Sequence, residues 1–239
     1  MAETDAPIEL SIIILCYQAK EELIEFSNQI LNEAESLGVE YQLILTANFN
    51  EDLIDSTPEI ARKISLEHNH VIVVAEPKKG GMGWDMKSGL EKSTGNYIAV
   101  IDGDGQMPAS DIPLVYNIIK KGDYDLVKTY REKRHDGLLR KILSATYNFL
   151  FRLLYHPDFP IRDVNSKPKI MTREAYRKLN LKSNDWFTDA EIMIQAQKNN
   201  FRICEVPTVF YKNERRASFV GLRTIFEFIL NLFSYKLRH

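Results

Sequence analysis

Short apolar runs alternate with amphipathic segments through the first half of this 239-residue chain. Residues Leu10–Cys16 are almost continuously apolar, which is typical of a strand buried on both faces. Residues Glu21–Leu37 carry apolar side chains three or four positions apart, which predicts a helix that ends at Gly38. The alternation continues with predicted strands at Tyr41–Ala47 and Val71–Ala75, predicted helices at Pro58–Leu66 and Trp84–Ser93, and a strand that ends at Asp102. Repeated β-α units predict an α/β fold with a mostly parallel central sheet flanked by helices, whose ligands bind at the carboxyl ends of the strands.

The second half of the chain is less regular, although the same two patterns recur. Helical spacing predicts helices at Ala109–Lys121, Leu138–Tyr155, Asp189–Lys198 and Leu222–Leu237. Extended segments are predicted at Asp125–Lys128, Lys167–Met171 and Arg202–Tyr211. Because no repeat, low-complexity tract or linker interrupts the chain, we predict a single domain over residues 1–239.

Two carboxylates stand one residue apart where the strand that ends at Asp102 stops. Side chains at positions i and i+2 of an extended chain point the same way, so Asp102 and Asp104 can converge on one cation. Gly103 and Gly105 leave room for a bulky ligand and permit backbone angles that other residues resist. Hard oxygen ligands of this kind suit Mg²⁺ or Mn²⁺, which typically bridge to substrate phosphates. The alternative is a polar turn that closes the strand, since Asp and Gly are common turn residues.

Charge is distributed unevenly along the chain, although the formal net charge is only −2. Lys20 is the only basic residue before Arg62, whereas Lys and Arg cluster after Lys128. The basic second half suggests an anionic partner, and we expect no nucleic acid partner. Cys16 and Cys204 lie in apolar runs without metal-ligand spacing, which fits a reducing compartment. The N-terminus lacks the positive region of a signal peptide and no apolar run is long enough to cross a bilayer, so we expect a cytoplasmic protein.

Several motifs occur in a fixed order along the chain. They are Cys16–Glu21, the glycine turn Gly81–Leu90, Gly95–Ile98, the carboxylate motif Asp102–Gln106, Arg131, and Asp163–Lys169. In these motifs the chain resembles the family 2 glycosyltransferases of the GT-A fold, and within them the dolichyl-phosphate mannose synthase-like group. The resemblance implies one GT-A domain, with a nucleotide-sugar-binding half at about residues 8–106. An acceptor-binding half with amphipathic helices would follow at about residues 107–239.

The resemblance also implies which residues bind the donor. Asp102, Asp104 and Gln106 match the family positions around a divalent metal, Mg²⁺ or Mn²⁺, that holds the donor diphosphate, and Asp104 is also assigned to catalysis. The other positions matched to the donor are Cys16, Tyr17, Glu21, Asn48, Gly83, Lys87, Gly103, Lys169 and Arg216. At Asn48 the chain departs from the family, which usually has Asp-Asp-Gly-Ser where this chain has Thr-Ala-Asn-Phe-Asn. The choice between a UDP-hexose and a GDP-hexose therefore stays open.

Three residues of the second half match positions near the acceptor. Arg131, which we group with the catalytic residues, and Lys169 match basic residues that hold donor or acceptor phosphate. Both could instead be ordinary surface charges. Asp189 matches the region of a carboxylate that removes the proton of a hydroxyl acceptor. A phosphate acceptor is already ionised, and with such an acceptor Asp189 would be a structural or metal-proximal acid.

Two predicted helices combine apolar and aromatic faces with basic flanks. In Leu222–Leu237, apolar residues that include Phe226 and Phe233 recur three or four positions apart, and Leu138–Tyr155 is similar. Such helices can lie in a bilayer interface that carries anionic lipid. The alternative is that both pack on the core or form a dimer contact.

These observations favour inverting transfer of a hexose from a nucleotide diphosphate sugar to a polyprenyl phosphate. We expect an enzyme peripheral to the cytoplasmic face of a membrane, as a homo-oligomer or with a membrane partner protein. One alternative is a soluble family 2 transferase that acts on a sugar hydroxyl in cell-surface polysaccharide synthesis. Another is a GT-A-like binding domain without catalysis.

Overall fold

A computed structural model describes residues 7–213 and 230–237 of the chain. The strands in the described residues are β1 Leu10–Leu15, β2 Tyr41–Thr46, β3 Val71–Val74, β4 Tyr97–Asp102, β5 Leu126–Arg134, β6 Lys169–Thr172 and β7 Ile203–Phe210. The helices with named bounds are α1 Glu22–Ser36, α2 Thr57–Glu67, α3 Met82–Lys92, α4 Asp111–Ile119, α5 Leu138–Tyr155, α6 Arg173–Lys178 and α7 Thr188–Lys198. Residues 230–237 are also helical.

The strands form one seven-stranded sheet in the order β3-β2-β1-β4-β6-β5-β7. All neighbouring strands are parallel except β6, which is antiparallel to both β4 and β5. The predicted α/β fold with a mostly parallel central sheet is therefore confirmed. In the parallel part, Leu15 lies in register with Thr46 on one side and Asp102 on the other, so three strands end at one edge.

The core lies on both faces of the sheet, because successive side chains of a strand point to opposite sides. Ile12 and Ile14 of β1 belong to the layer that contains the buried sides of α1, α2 and α4. Ile13 and Leu15 belong to the opposite layer, with α3, α5 and α7. Every residue of β1 is buried, as its continuous apolar run predicts.

Several elements begin or end a few residues from their predicted bounds, and two differ more. Strand β5 continues to Arg134 instead of ending at Lys128, and Arg134 pairs with Phe210 of β7. The run Arg131–Arg134 is charged, so no apolar pattern indicates a strand there, and the pairing with β7 extends it. Helix α6 was not predicted; Thr172 caps it by accepting a hydrogen bond from the Ala175 N–H.

The predicted C-terminal helix is only partly described. Phe226, like the predicted donor-binding residue Arg216, lies outside the described residues. Within residues 230–237, Leu232 is fully buried and its carbonyl accepts a hydrogen bond from the Tyr155 hydroxyl at 2.8 Å. Phe233 is 44% exposed. One side of this segment therefore packs on the core, while Phe233 keeps contact with solvent. Among the described helices, none has the length and apolar character needed to cross a membrane.

Candidate active site

The carboxylate motif begins at the last residue of β4, where a tight turn packs against β1. The Gly103 N–H donates to the Leu15 carbonyl at 2.9 Å. A Cβ atom at Gly103 would lie 2.8 Å from that carbonyl oxygen and 2.8 Å from Ile14 Cγ2. Packing against β1 therefore requires glycine at this position, and the space that glycine leaves is filled by the protein. Asp102, just before it, remains partly exposed.

The rest of the motif is tied to the end of the sheet. Oδ1 of Asp104 accepts a hydrogen bond from the Gln106 N–H at 3.1 Å, across Gly105, whose φ of +65° favours glycine. The Gln106 side-chain amide donates to the Tyr211 carbonyl at 2.8 Å, just after β7. The Asp104 carbonyl accepts from the Asn213 side chain at 3.1 Å. The carboxylate turn is thus held at the end of β1 and just after β7.

A chain of alternating charges leads from the protein interior to Asp102. Lys169 Nζ lies 2.6 Å from Asp189 Oδ1, and Lys167 Nζ lies 2.9 Å from Asp189 Oδ2. The same Lys167 nitrogen lies 3.2 Å from Asp102 Oδ1. The side chains of Lys167, Lys169 and Asp189 are at most 3% exposed, whereas that of Asp102 is 31% exposed. Asp102 is therefore the solvent-facing end of a buried network.

Burial and neighbouring charges determine the pKa values of the ionisable groups in this network. Burial opposes the charge of Lys167, but Asp102 and Asp189 together raise its pKa above the ordinary value. Burial lowers the pKa of Lys169 to about 7, because Asp189 offsets only part of this effect. The positive charges of Lys128 and Lys167 lower it further. Burial would raise the pKa of Asp189, but the two lysines hold it below its usual range. Asp189 is thus a stable anion enclosed by cations.

The residues at the edge of β4 fit a divalent cation. Asp102 and Asp189 contact the amines of Lys167 and Lys169, and Asp104 adds a third carboxylate two residues after Asp102, so among these five groups at least one negative charge is in excess. Asp102 and Asp104 are both partly exposed and offer hard oxygen ligands. The described residues contain no group of three or more His, Cys, Asp or Glu that could enclose a metal by themselves.

Arg131 is oriented by a bidentate ion pair. Its Nε and Nη2 atoms donate to the two oxygens of Asp163 at 2.6 and 2.7 Å. Burial would raise the pKa of Asp163, but Arg131 and, to a lesser extent, Lys128 hold it well below its usual range. Burial likewise opposes the charge of Arg131, but Asp163, Asp136 and Asp102 raise its pKa. Arg131 is thus a largely buried, oriented cation influenced by the charge of Asp102, not an ordinary surface charge.

Asn48 lies at the centre of a polar hydrogen-bonded cluster that follows β2. Its Nδ2 donates to Asp85 Oδ1 at 3.0 Å and to Ser88 Oγ at 2.9 Å, and its Oδ1 accepts from the Glu76 N–H at 3.0 Å. Lys78 forms an ion pair with Asp85. Burial raises the pKa of Asp85, although Lys78 and Asn48 offset part of that shift. Both amide hydrogens of Asn48 are therefore used within the protein, which favours the amide over the carboxylate that the family usually has.

The loop after β1 carries three predicted donor-binding residues. The Tyr17 ring lies below Lys78, whose Nζ atom is 4.1 Å from the ring centroid. Cys16 is fully buried and its thiol donates to the Ile14 carbonyl at 3.1 Å. Glu21 is exposed immediately before α1. Tyr17 and Glu21 can thus present side chains to a ligand, whereas the Cys16 side chain is buried under the loop and supports its conformation.

The glycine turn before α3 packs against the segment that precedes α7. The Gly83 N–H donates to the Asp185 carbonyl at 3.1 Å, and a Cβ atom at Gly83 would lie 2.7 Å from that oxygen and would collide with Thr188. Lys87 Nζ lies 3.3 Å from the Lys182 carbonyl. Gly83 and Lys87 therefore contact the 182–188 segment, and their binding of the donor stays a prediction.

Some residues of this site carried no role in the sequence-based prediction. Asp163 and Lys167 lie in a motif that supports the resemblance, yet neither was assigned a function. Lys78 and Asp85 complete the Asn48 cluster. One available signal was the spacing of Lys167 and Lys169 within a predicted strand, where two lysines on one face require anionic partners.

Comparison with known proteins identifies the family. The sequence profile of Glycosyl transferase family 2 matches residues 11–184, which is most of the chain. The chain belongs to glycosyl transferase family 2. It is therefore a glycosyltransferase, and the seven-stranded sheet is that of the GT-A fold.

Crystal structures of one enzyme share this fold. Glucosyl-3-phosphoglycerate synthase from Mycobacterium tuberculosis with UDP aligns with a TM-score of 0.70 at 17% identity, over 97% of this chain and 79% of that chain. The same enzyme with Mn²⁺, UDP and glucosyl-3-phosphoglycerate aligns with a TM-score of 0.70 at 16% identity, over 96% and 78%. Its complex with Mn²⁺ and UDP-glucose aligns with a TM-score of 0.67 at 14% identity, over 97% and 78%. These identities establish a shared fold. The expected dolichyl-phosphate mannose synthase-like subtype is not confirmed by them.

Proposed function

We propose that this transferase moves a hexosyl group from a UDP-hexose to a hydroxyl of a small, phosphate-bearing acceptor, with Mn²⁺ or Mg²⁺ bound at Asp102 and Asp104. The observation that carries the proposal is the pair of partly exposed carboxylates, of Asp102 and Asp104, at the carboxyl end of β4. The similar synthase structures contain Mn²⁺ and UDP, which favours a metal-dependent reaction and uridine as the base.

The donor would lie across the ends of β1, β2 and β4. Asp102 and Asp104, with Gln106, would hold the cation, which on binding would stabilise the charge that develops on the departing diphosphate. Tyr17, with Lys78 over its ring, would form one wall of the nucleotide pocket. Glu21 would lie at the rim of this pocket.

Other predicted donor residues would support the pocket without presenting a side chain to the donor. Cys16, Gly83 and Gly103 would contribute by their backbone and small size, because packing leaves no room for a larger side chain at either glycine. Asn48 would fix the pocket wall through Asp85.

The acceptor site would use the cations of the second half. Arg131, oriented by Asp163, would bind the acceptor phosphate, since guanidinium groups bind phosphate oxygens well. Lys169 would act indirectly, through Asp189. The similar synthases carry phosphoglyceric acid or its glucosylated product in some of their structures, which favours a small phosphorylated acceptor over a lipid.

A polyprenyl phosphate acceptor is the second candidate, and the burial of Asp189 favours it. Asp189 is 1% exposed and bound by two ammonium groups, so it is poorly placed to take a proton from a hydroxyl. A phosphate acceptor needs no general base. This candidate would also use the exposed apolar side chains of α5 against a membrane.

Nucleotide release by the purified protein tests these proposals. UDP-glucose, UDP-galactose and GDP-mannose would each be incubated with Mn²⁺, without acceptor, with 3-phosphoglycerate, or with a short-chain polyprenyl phosphate. We expect UDP release that requires Mn²⁺ or Mg²⁺ and increases with 3-phosphoglycerate. Stimulation by the polyprenyl phosphate alone would select the second candidate. Full activity in excess chelator would refute the metal site, and no release from any donor would refute both candidates.

A further inference from the structure

Lys167 connects the carboxylate motif to the buried charges behind it. Its Nζ atom lies 3.2 Å from Oδ1 and 3.3 Å from Oδ2 of Asp102. The two distances are nearly equal, so the ammonium faces both oxygens of this carboxylate at once. The side chain of Lys167 is only 3% exposed, and therefore a large movement away from Asp102 would require the surrounding structure to open.

The position of Lys167 is determined by its second partner. Asp189 Oδ2 accepts a hydrogen bond from Lys167 at 2.9 Å, while Asp189 Oδ1 accepts one from Lys169 at 2.6 Å. Lys169 also donates to the Ser166 carbonyl at 2.8 Å. The four side chains form a row of alternating charges in which each contacts the next: Lys169 on β6, Asp189 on α7, Lys167, and Asp102 on β4. The ammonium beside Asp102 is therefore a fixed charge of the fold.

We infer that Lys167 is a positioning residue that sets the cation affinity of the carboxylate pair. It orients Asp102 and keeps the dication weakly bound until a diphosphate binds with it. This inference rests on the proposed function, which supplies the diphosphate.

Two physical effects support the inference. First, an ammonium that faces both oxygens of Asp102 hinders a dication from binding both at once from the same side. Second, the fixed positive charge repels a dication and neutralises part of the charge of Asp102. A diphosphate adds negative charge and oxygen ligands, and this compensates for the repulsion between Lys167 and the dication. Cation and nucleotide should therefore bind cooperatively, and by linkage each should raise the affinity of the other by the same factor.

Mn²⁺ titration followed by electron paramagnetic resonance tests this without measuring turnover. In wild type without nucleotide we expect weak Mn²⁺ binding, which UDP strengthens by about 100-fold, a coupling of the size common between linked sites. Lys167→Met should bind Mn²⁺ without nucleotide about tenfold more tightly, because one fixed repulsive charge is gone. UDP should then improve Mn²⁺ binding of this variant by a correspondingly smaller factor. The variant retains the complete Lys169–Asp189 ion pair, which favours folding.

Lys63→Met is the control. It removes the same charge at an exposed position of α2, outside the row of charges behind Asp102, so Mn²⁺ affinity without nucleotide should stay within about twofold of wild type. If Lys167→Met does not fold, Lys167→Gln removes the same charge and keeps an amide that donates to both carboxylates.

The possible outcomes separate this inference from the proposed function. Unchanged Mn²⁺ affinity in folded Lys167 variants would overturn the inference even if UDP-sugar turnover is confirmed. Equally tight Mn²⁺ binding by wild type with and without UDP would overturn it without any variant. Failure of UDP to bind at all would refute the proposed donor, while the nucleotide-free comparison would still test the effect of Lys167.

Discussion

Lys169 on β6 and Asp189 on α7 form an ion pair of 2.6 Å in which neither side chain is more than 2% exposed. The pair attaches α7 to the centre of the sheet, and Lys167 binds the second oxygen of the same carboxylate. Burying these charges is costly, and only their mutual contacts offset the loss of hydration. Both lysines therefore depend on the Asp189 carboxylate for charge compensation. This favours a structural role for Asp189 over a role in proton transfer.

Asp189→Asn should destabilise the fold strongly. The substitution removes the shared anion of two buried amines, so that the ammonium of Lys167 loses its partner inside the fold, and we expect a loss of about 3–5 kcal/mol in the free energy of unfolding. Urea denaturation at pH 7.5 measures this loss. The control is Asp125→Asn, which removes a largely exposed ion pair with Arg202 and should cost less than about 1 kcal/mol. Wild-type stability of Asp189→Asn combined with lost turnover would instead support the general-base hypothesis.

Asp104→Asn should abolish most turnover while the fold survives. Losing one anionic ligand weakens a hard-cation site, and we expect nucleotide release to fall by about 10² or more, as when a group that stabilises developing charge is removed. Asp104 is partly exposed, so the melting temperature should change little. Asp52→Asn, at an exposed position of the loop after β2, is the control for the substitution itself. Normal turnover by Asp104→Asn would show that the cation lies elsewhere.

Much of the fold follows from the sequence pattern. The bounds of α5 coincide with the predicted Leu138–Tyr155, and β1 ends one residue before the predicted Cys16. The pattern succeeds here because burial of one helix face or of a whole strand dictates which positions are apolar. The placement of Asp102 and Asp104 at a strand end also follows, because an apolar run stops there.

The contacts within the site could not be predicted in this way. Lys167 meets Asp102 across 65 residues of sequence and Arg131 meets Asp163 across 32. Such contacts depend on how β6, antiparallel between β4 and β5, and the segment before it pack, and no local periodicity encodes that. The sequence pattern suggests that Gly103 leaves space for a ligand, whereas in the structure its missing side chain avoids a clash with the end of β1.

The unfolding free energy should depend on pH through Asp111. This carboxylate is buried in the first turn of α4 and accepts a hydrogen bond from the Thr208 hydroxyl. Burial raises the pKa of Asp111 to about 6, and the hydrogen bond opposes only part of that shift. Between the unfolded pKa and the folded one, the native state keeps a proton that the unfolded chain releases. Stability should therefore fall as pH rises through this interval, and remain lower above it.

Asp111→Asn removes this effect, because the amide stays neutral and can still accept from Thr208. The variant should be more stable than wild type by about 1–2 kcal/mol at pH 7.5 and should show no such gain near pH 4. Urea unfolding at both pH values gives the comparison. The control is Asp123→Asn at an exposed position, which should change the unfolding free energy by the same amount at both pH values. An equal loss of stability at both pH values would contradict the expected titration of Asp111.

The membrane hypothesis can be tested on α5, which leaves several large apolar side chains exposed. Leu139 and Ile142 are 64% and 54% exposed, and basic residues Arg140 and Lys141 lie between them. If this face lies in a bilayer, replacing both apolar residues with Ser should weaken co-sedimentation with anionic vesicles by about tenfold or more, because burying each such side chain contributes roughly 1.5–3 kcal/mol. Binding should also weaken as salt screens the basic residues.

Ile54 and Leu66 provide the matched control for the α5 substitutions. They are 102% and 86% exposed, on the loop before α2 and on α2, and their replacement with Ser should leave vesicle binding unchanged. Binding of UDP and Mn²⁺ should persist in both double variants, since none of the four residues belongs to the carboxylate site. If the α5 variant folds and vesicle binding does not change, the membrane hypothesis is wrong and the small phosphorylated acceptor is favoured. If the α5 variant unfolds, this face is covered by protein, because exposed side chains in contact with water alone would not stabilise the fold.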